Sequence, residues 1–487
     1  MSTRQIASST LWQIGSQITM AALSILTVKF VAIGLSKELA GNYNSAYGFL
    51  QLFGILADFG LYAVALREIS RSELNRERVL GALIVIRSII LVFSLLLALG
   101  LVWLLPQWRG TPLPLGVTIA ALVPFFTLLA GIIRTVFQVH YKMQYVFIAE
   151  VAQRIFTASF IGMFIVAGIR GSHDLHIYHM FLFIGGVGAF LLFFFSLVTG
   201  NRLMKIRPCL DTVMIKQLLK KAAPYGLAFL CVALYRQFDV TMIALLRPDF
   251  ELQNAYYGFV VRMTDMGYLL PTFLLNSTLP VLSERNEKGE DTKDFLGKTL
   301  LALLMIGSIA ALFSSIWSRQ LVQLLTTNMY LSTVTHAGSD TALRLLSLPL
   351  FLNALVLYGF YVLLTKHKWQ RLVTILCIGA VISVSLNIVL IPIHGFVGAG
   401  TTSIIVHIIL AALLFPQAQK VMPAHIPINH IFRWLAFSAL LAIELFAVRT
   451  FLSNEIFTVL GLAGMTIAMI ATGFACRIHT AFRVIGK

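Results

Sequence analysis

Apolar runs long enough to cross a bilayer recur along the whole chain, and they limit its fold more than any other feature. A helix needs about 20 mostly apolar residues to span hydrocarbon. Fourteen such segments can be drawn, over 11–34, 43–66, 80–106, 115–138, 148–168, 179–199, 223–245, 255–281, 298–318, 341–364, 371–393, 398–415, 431–448 and 456–475. Barrel strands alternate polar and apolar residues over about ten positions, and these runs do not alternate. The 487 residues are 58% hydrophobic and 12% charged, with mean hydropathy +0.87, a profile that excludes a soluble domain. The expected class is an all-α polytopic membrane protein. The first apolar segment is too long for a cleavable signal and lacks a small-residue cleavage pattern, so it is expected to remain as the first helix.

Charge sets the expected orientation. Of the 37 basic residues, 24 fall in the N-terminal segment, the even-numbered loops and the C-terminal tail, and only six in the opposite loops. Cytoplasmic loops carry excess Lys and Arg, so both termini are expected in the cytoplasm. The net charge of +17 therefore reports topology; no basic soluble domain is available for nucleic acid.

The longest cytoplasmic connection is 200–222, whose Met214–Lys221 stretch reads as an amphipathic helix at the interface. It divides six helices from six, with two more at the end. The expected domains are an N-lobe over 1–199, a linker over 200–222, a C-lobe over 223–415, and two further helices and a tail over 416–487. A short repeat agrees with this division: Tyr47-Gly48-Phe49 opens the second span and Tyr257-Gly258-Phe259 the eighth. Such repeats are common in transporters, with substrate between the halves.

The remaining seven basic residues, Lys29, Arg87, Arg134, Arg154, Arg236, Arg262 and Arg344, lie inside spans. Each costs roughly 2.5–3.5 kcal/mol at a helix centre on insertion scales. They must be paired, snorkel to an interface, or line a wet cavity. For Arg344 and Arg87 snorkelling is the simpler reading. Lys29 points away from the polar stripe of an ideal span one, so either that helix is kinked or Lys29 snorkels outward. For Arg134, Arg154, Arg236 and Arg262 a cationic cavity that holds an anion is sharper, and Lys29 and Arg87 are counted with them as candidates.

Polar residues recur at helical spacing on several spans. Gln13 and Gln17 mark span one, Asn44, Tyr47, Gln51 and Asp58 span two, and Arg262, Asp265 and Asn276 span eight. Gln13, Gln17, Asn44, Tyr47, Gln51 and Asn276 are candidate cavity lining, against the plain alternative of interhelical hydrogen bonds. Five acids also lie in spans. Glu150 and Arg154 have i,i+4 spacing, while Arg236/Asp239 and Arg262/Asp265 have i,i+3 spacing, so local pairing is the plain reading. The sharper one makes Asp58, Glu150, Asp239 or Asp265 exchange protons or sodium; Glu444 is the fifth acid. His173, His176 and His179 would suit zinc if helical, but an interfacial loop is the default. The four cysteines form no CxxC pair. No metal, cofactor or catalytic motif is expected.

Two stretches carry more than composition. Leu56-Ala57-Asp58-Phe59-Gly60-Leu61, followed by Ala65-Leu66-Arg67-Glu68-Ile69-Ser70, resembles the second-helix signature of polysaccharide flippases. Asn387 to Thr401, with Pro392, Gly395, Gly398 and Ala399, resembles the signature where spans eleven and twelve meet. There Pro392 and Gly395 are expected to turn the chain, and Gly398 and Ala399 to admit close packing.

The chain thus resembles the multidrug/oligosaccharidyl-lipid/polysaccharide (MOP) flippase superfamily, in its polysaccharide (Wzx-like) branch. The resemblance implies two six-helix lobes in a V around a central cavity. It implies a transporter and not an enzyme, moving a polyprenyl-pyrophosphate-linked oligosaccharide from the cytoplasmic to the outer leaflet of a prokaryotic plasma (inner) membrane. Rocking of one lobe against the other would give alternating access, coupled to a proton or sodium gradient or to the membrane potential. Polysaccharide polymerase and other assembly proteins would be partners, alongside membrane lipid. Within the superfamily the alternatives are a peptidoglycan lipid-precursor flippase and a MATE-type drug/cation antiporter. A membrane glycosyltransferase, polymerase or ligase fits less well, because the first outer loop (35–42) is tiny and holds Glu38 as its only acid.

Overall fold

A computed structural model describes residues 3–58, 60–61, 64, 76–205, 207–478 and 480. Its helices, in chain order, are α1 (Thr3–Gly34), α2 (Lys37–Asp58), α3 (Arg76–Leu104), α4 (Leu113–Ala120), α5 (Leu122–Val139), α6 (Met143–Val166), α7 (Leu175–Leu203), α8 (Thr212–Arg236) and α9 (Asp239–Leu246). They continue as α10 (Phe250–Gly267), α11 (Leu269–Glu287), α12 (Lys293–Ile316), α13 (Ser318–Leu325), α14 (Ser339–Thr365), α15 (Trp369–His394), α16 (Phe396–Val421), α17 (Ile428–Arg449) and α18 (Glu455–Ala475). Among the described residues there is no strand, only a single bridge between Leu35 and Ser172.

Helix lies on each of the fourteen segments read from the sequence, and among the described residues eleven stretches are long and apolar enough to cross a membrane.

The chain forms two compact units, Met1–Gly258 and Phe259–Lys487. The first unit takes in α8, α9 and the start of α10, which the sequence reading assigns to the second lobe. Within it α1 packs along α6, α5 along α7, and α2 against α3, α4, α8 and α9. In the second unit α14 packs along α16 and α12, and α15 along α16. The terminal pair α17–α18 is fixed to this unit through Trp317, which is fully buried among Phe437, Leu441 and Leu445 and donates Nε1–H to the Leu445 carbonyl at 2.8 Å. Ile443, Phe446 and Ile467 on these two helices are 65–71% exposed, the apolar outer face expected of helices against lipid.

The repeat extends into three dimensions. Phe49 meets Trp108 edge to face at 5.4 Å and 83°, while Phe259 meets Tyr330 at 5.4 Å and 82°. Trp108 and Tyr330 are both fully buried and each ends a short 3₁₀ turn, Pro106–Trp108 and Asn328–Tyr330. Each unit therefore carries the same aromatic joint at the same place in its helix order.

Several spans depart from the uninterrupted helices expected of them. Span two ends as α2 at Asp58, and Gly60 follows at φ +70° with its α-carbon face against Tyr225 of α8; an added Cβ would lie 2.6 Å from the Tyr225 Cβ. That explains the Gly of the Leu-Ala-Asp-Phe-Gly-Leu stretch, since left-handed backbone there excludes most side chains. Phe59 and Ala65–Ser70 lie outside the described residues. Span seven breaks after Arg236, and span eight breaks at Tyr268. At the second signature, Gly395 at φ +58° is the only residue between α15 and α16, and an added Cβ on Gly398 would overlap the Leu390 carbonyl. Pro392 sits within α15 rather than in the turn. Met214–Lys221 is likewise not a separate interfacial helix. It forms the first turns of α8, whose start is capped by the Asp211 side chain accepting from the Met214 N–H at 3.1 Å.

Candidate functional site

The polar stripe of α2 serves two different purposes along its length. At the Lys37 end, α2 lies against the first half of α10 through hydrogen bonds. Asn42 donates to Glu251 Oε1 at 2.8 Å and Asn44 donates to the Asn254 carbonyl at 3.1 Å. Asn254 donates in turn to Ser45 Oγ at 2.8 Å and to the Val240 carbonyl at 2.9 Å. An added Cβ on Gly258 would lie 2.5 Å from Asn44 Cβ, one on Gly48 would lie 2.6 Å from Val240, and one on Gly41 would overlap the Glu251 carbonyl. Asn44 and Asn254 each stand three residues before a Tyr-Gly-Phe, so equivalent positions of the repeat touch one another here. Asn44 is 2% exposed. It is spent on this contact and does not line open space. Tyr47 is half-buried with its ring 4.8 Å from that of Tyr43, and Gln51 is exposed.

At its other end, α2 places Asp58 as its last helical residue. A carboxylate facing the carbonyl end of a helix is disfavoured by the helix dipole, and a cation is needed. Arg87 of α3 supplies it, Nη2 to Oδ1 at 2.6 Å, with Arg87 4% and Asp58 29% exposed in their side chains. Arg87 is thus neither snorkelling nor open to a cavity. Its guanidinium stands 3.5 Å from where a Cβ on Gly131 of α5 would be, so that glycine makes room for it.

A second pair joins α5 to α6. Arg134 Nη1 meets Glu150 Oε1 at 2.7 Å, with side chains 23% and 12% exposed. The i,i+4 spacing points to Arg154 as a partner of Glu150; the pairing with Arg134 is one that spacing does not give, because it crosses between helices. Arg134 Nε is buried with no hydrogen-bond acceptor among the described residues. Since guanidinium carries five N–H donors, this pair leaves donor capacity for an incoming anion. Arg154 and Lys29 are half-buried on α6 and α1. Gln13 and Gln17 lie outside the residues whose side chains are described.

The break in span seven changes the meaning of Arg236/Asp239. Arg236 is the last residue of α8 and Asp239 the first of α9, with Gln237 and Phe238 between them. Each charge sits at the helix end whose dipole favours it. Asp239 is 3% exposed and accepts from Tyr257 OH at 2.9 Å.

In the second unit, Arg262 and Asp265 are half-buried on α10, shortly before the break at Tyr268. Asn276 on α11 is exposed and accepts from Tyr361 OH of α14 at 2.6 Å. Arg344 is exposed, 3.4 Å from Ser318 Oγ. Sequence reasoning overlooked a run of buried polar residues on α14–α16: Asn353, Ser383, Asn387, Thr402 and His407 are each at most 1% exposed. Small or uncharged, they disappear into apolar runs, and no spacing distinguishes them from packing residues. Glu444 of α17 accepts from Thr472 of α18 at 2.6 Å.

Among the described residues no group of three or more His, Cys, Asp or Glu is placed to hold a metal ion. In the histidine run, Asp174 caps α7 by accepting from the His176 N–H at 2.8 Å. All four cysteines are free.

Comparison with known proteins gives this chemistry a setting. The chain is similar in structure to the lipid II flippase MurJ in an inward closed conformation, at 15% identity and TM-score 0.70, over 97% of this chain and 99% of that one. It is similar to an inward-facing multidrug resistance MATE family transporter of the MOP superfamily, at 13% identity and TM-score 0.62, over 84% and 97%. It also resembles the MATE multidrug transporter DinF-BH, at 13% identity and TM-score 0.60, over 87% and 97%. No curated protein matches the sequence. These likenesses show the fold alone, one shared with that lipid II flippase and with MATE transporters, and the apolar helices make the chain a multi-pass membrane protein. The family model described as "Polysaccharide biosynthesis protein" matches residues 6–286, more than half of the chain, and the chain belongs to that family.

Proposed function

We propose that the protein flips a polyprenyl-pyrophosphate-linked oligosaccharide from the cytoplasmic to the outer leaflet of a prokaryotic plasma (inner) membrane, by alternating access and for cell-surface polysaccharide assembly. The single observation that carries the reading is Arg134, a bilayer-depth guanidinium whose carboxylate partner leaves its Nε donor without an acceptor among the described residues. A pyrophosphate cannot enter hydrocarbon unneutralised, and guanidinium offers charge-assisted, often bidentate bonds to it. Arg154, Arg236, Arg262 and Lys29 are assigned to the same cationic path, and Arg87 is assigned to bracing it. The excess of basic residues in alternate loops supports cytoplasmic termini.

Coupling to a proton or sodium gradient, or to the membrane potential, is assigned to carboxylates that an arginine now holds. Protonation of Glu150 or Asp58 would release the paired guanidinium, and Asp239 and Asp265 are the other candidates. A polysaccharide polymerase and other assembly proteins would receive the product.

A peptidoglycan lipid-precursor flippase is the second reading, favoured by the near-complete coverage of the MurJ fold. Depletion separates the two: the lipid-linked intermediate that accumulates on the cytosolic leaflet identifies the substrate. Arg134→Ala, Arg236→Ala and Arg262→Ala should each abolish export while the protein stays folded and inserted. Unaltered export in all three would refute the cationic path.

A further inference from the structure

Between α7 and α8 the chain crosses from one membrane helix to the next through Met204–Asp211, and this passage has an unusual surface. Arg202, Lys205, Arg207, Lys216, Lys220 and Lys221 are all exposed along it. The only acid over 200–222 is Asp211, and its charge is engaged twice. Its carboxylate accepts from the Met214 N–H and binds Arg78 at 2.6 Å. These bonds hold the Asp211 carboxyl below the usual carboxylate range, the cap on Met214 first and the Arg78 charge after it. Asp211 therefore offers nothing to the six cations beside it.

Beside the cations stand two largely exposed apolar side chains. Leu210 is 78% exposed and Val213 is 67% exposed. The chain just before them packs on α3. Cys209 and the Arg207 carbonyl pack on Gly81 of α3, where an added Cβ would overlap that carbonyl. Apolar tips projecting from a cationic segment, at the point where two membrane helices end, match an anionic bilayer surface. Charge attracts headgroup phosphates while the apolar tips enter the acyl boundary.

We propose that residues 202–221 form an anchor for anionic phospholipid headgroups, holding the passage between α7 and α8 on the leaflet. This goes beyond the flippase reading and does not depend on it. Each basic side chain near an anionic surface contributes about fivefold to association, so removing four should cost on the order of a hundredfold after partial screening.

The test uses the full chain with its four cysteines replaced by alanine and Leu210→Cys added. The protein is labelled there with a fluorophore and reconstituted in vesicles of equal parts phosphatidylcholine and phosphatidylglycerol. Quenching by spin-labelled phosphatidylglycerol is compared with quenching by spin-labelled phosphatidylcholine. The anchor requires a strong preference for phosphatidylglycerol that falls to parity in the Lys205→Gln, Arg207→Gln, Lys216→Gln, Lys220→Gln variant, whose changes are all at exposed positions. Equal quenching by the two lipids at native charge overturns the proposal, as does a preference that survives neutralisation. Both leaflets carry both lipids, so the result is independent of orientation and of transport. A membrane-impermeant thiol reagent on the same cysteine reports orientation separately.

Discussion

Replacing one partner of the Asp58–Arg87 pair separates a brace from a substrate ligand. The two removals are not equivalent. With Asp58→Ala, a guanidinium whose side chain is 4% exposed is left without its carboxylate, and stranding a buried charge costs about 3–5 kcal/mol. With Arg87→Met, the remaining carboxylate is 29% exposed, so water or a proton relieves it and the cost falls to about 1–3 kcal/mol. At about 1.4 kcal/mol per tenfold in an equilibrium constant, the first change lowers the folded-to-unfolded ratio by about a hundred- to a few thousandfold, and the second by about ten- to a hundredfold. The double variant Asp58→Leu/Arg87→Met replaces the pair by apolar groups of similar volume, which is often neutral for stability. Denaturant unfolding followed by the fluorescence of the six tryptophans measures all three, and glycan export is scored in parallel. A brace predicts that the double variant regains both stability and export. A double variant that is stable but does not export would refute a purely bracing role and give Asp58 or Arg87 a part in transport.

Three further outcomes follow from single contacts. Gly258→Leu places side-chain atoms where Asn44 already stands, 2.5 Å from an added Cβ, and should cost about 1–3 kcal/mol by overpacking, read as an earlier unfolding midpoint; an unchanged midpoint would show that α2 and α10 do not meet there. Gly60→Ala combines left-handed backbone, worth about 1–2 kcal/mol of strain, with contact against Tyr225, so the same assay should show a loss. Asp249 is held below the ordinary carboxylate range by the hydrogen bond from Arg247, at 2.6 Å from Nε, with Gln253 adding to it. Its folded value is depressed, so its contribution is present above the unfolded value of about 3.9 and is lost as pH falls through the folded value. Asp249→Asn should therefore lower stability at neutral pH and flatten the acid limb below about pH 4, where the two proteins converge; an unchanged profile would refute the assignment.

What the sequence discloses depends on the range of the interaction. Helix positions follow from apolar runs, because in lipid the backbone has no competing solution, and segments such as 371–393 and 398–415 fall within α15 and α16. Turns at glycine are also local: Gly395 lies where the signature places it. Helix breaks are less legible. Arg236-Gln237-Phe238-Asp239 contains neither Gly nor Pro, and the interruption there is compensated by charges at the two new helix ends and by Tyr257, which is distant in sequence. Ion pairing is the least legible. Spacing rules point from Glu150 to Arg154 on the same helix and are silent on Arg134, which reaches Glu150 from another helix; no local pattern encodes that α5 and α6 lie side by side. Asn254 could have been found, since the Tyr-Gly-Phe repeat extends three residues upstream to Asn44 and Asn254. Asn353 and His407 could not, because each stands alone in an apolar run.

Pairing also bears on how a flippase could release what it binds. A bare guanidinium at bilayer depth would hold a pyrophosphate tightly: at 4 Å and an effective dielectric near 20, one charge pair is worth about 4 kcal/mol. Release at the far leaflet would then be slow. A guanidinium already held by a carboxylate behaves differently, because an arriving phosphate must share or displace that partner and gains only the difference. The exchange is close to balanced in both directions, which suits a carrier better than a trap. Arg134 has this arrangement, with Glu150 as resident anion and Nε as spare donor. On this reasoning Glu150→Gln, which keeps the shape and removes the charge, should tighten binding of a soluble pyrophosphate analogue while slowing export. If Glu150→Gln weakens analogue binding, the carboxylate is positioning Arg134 rather than competing for it, and the balance must be sought at Arg236 or Arg262.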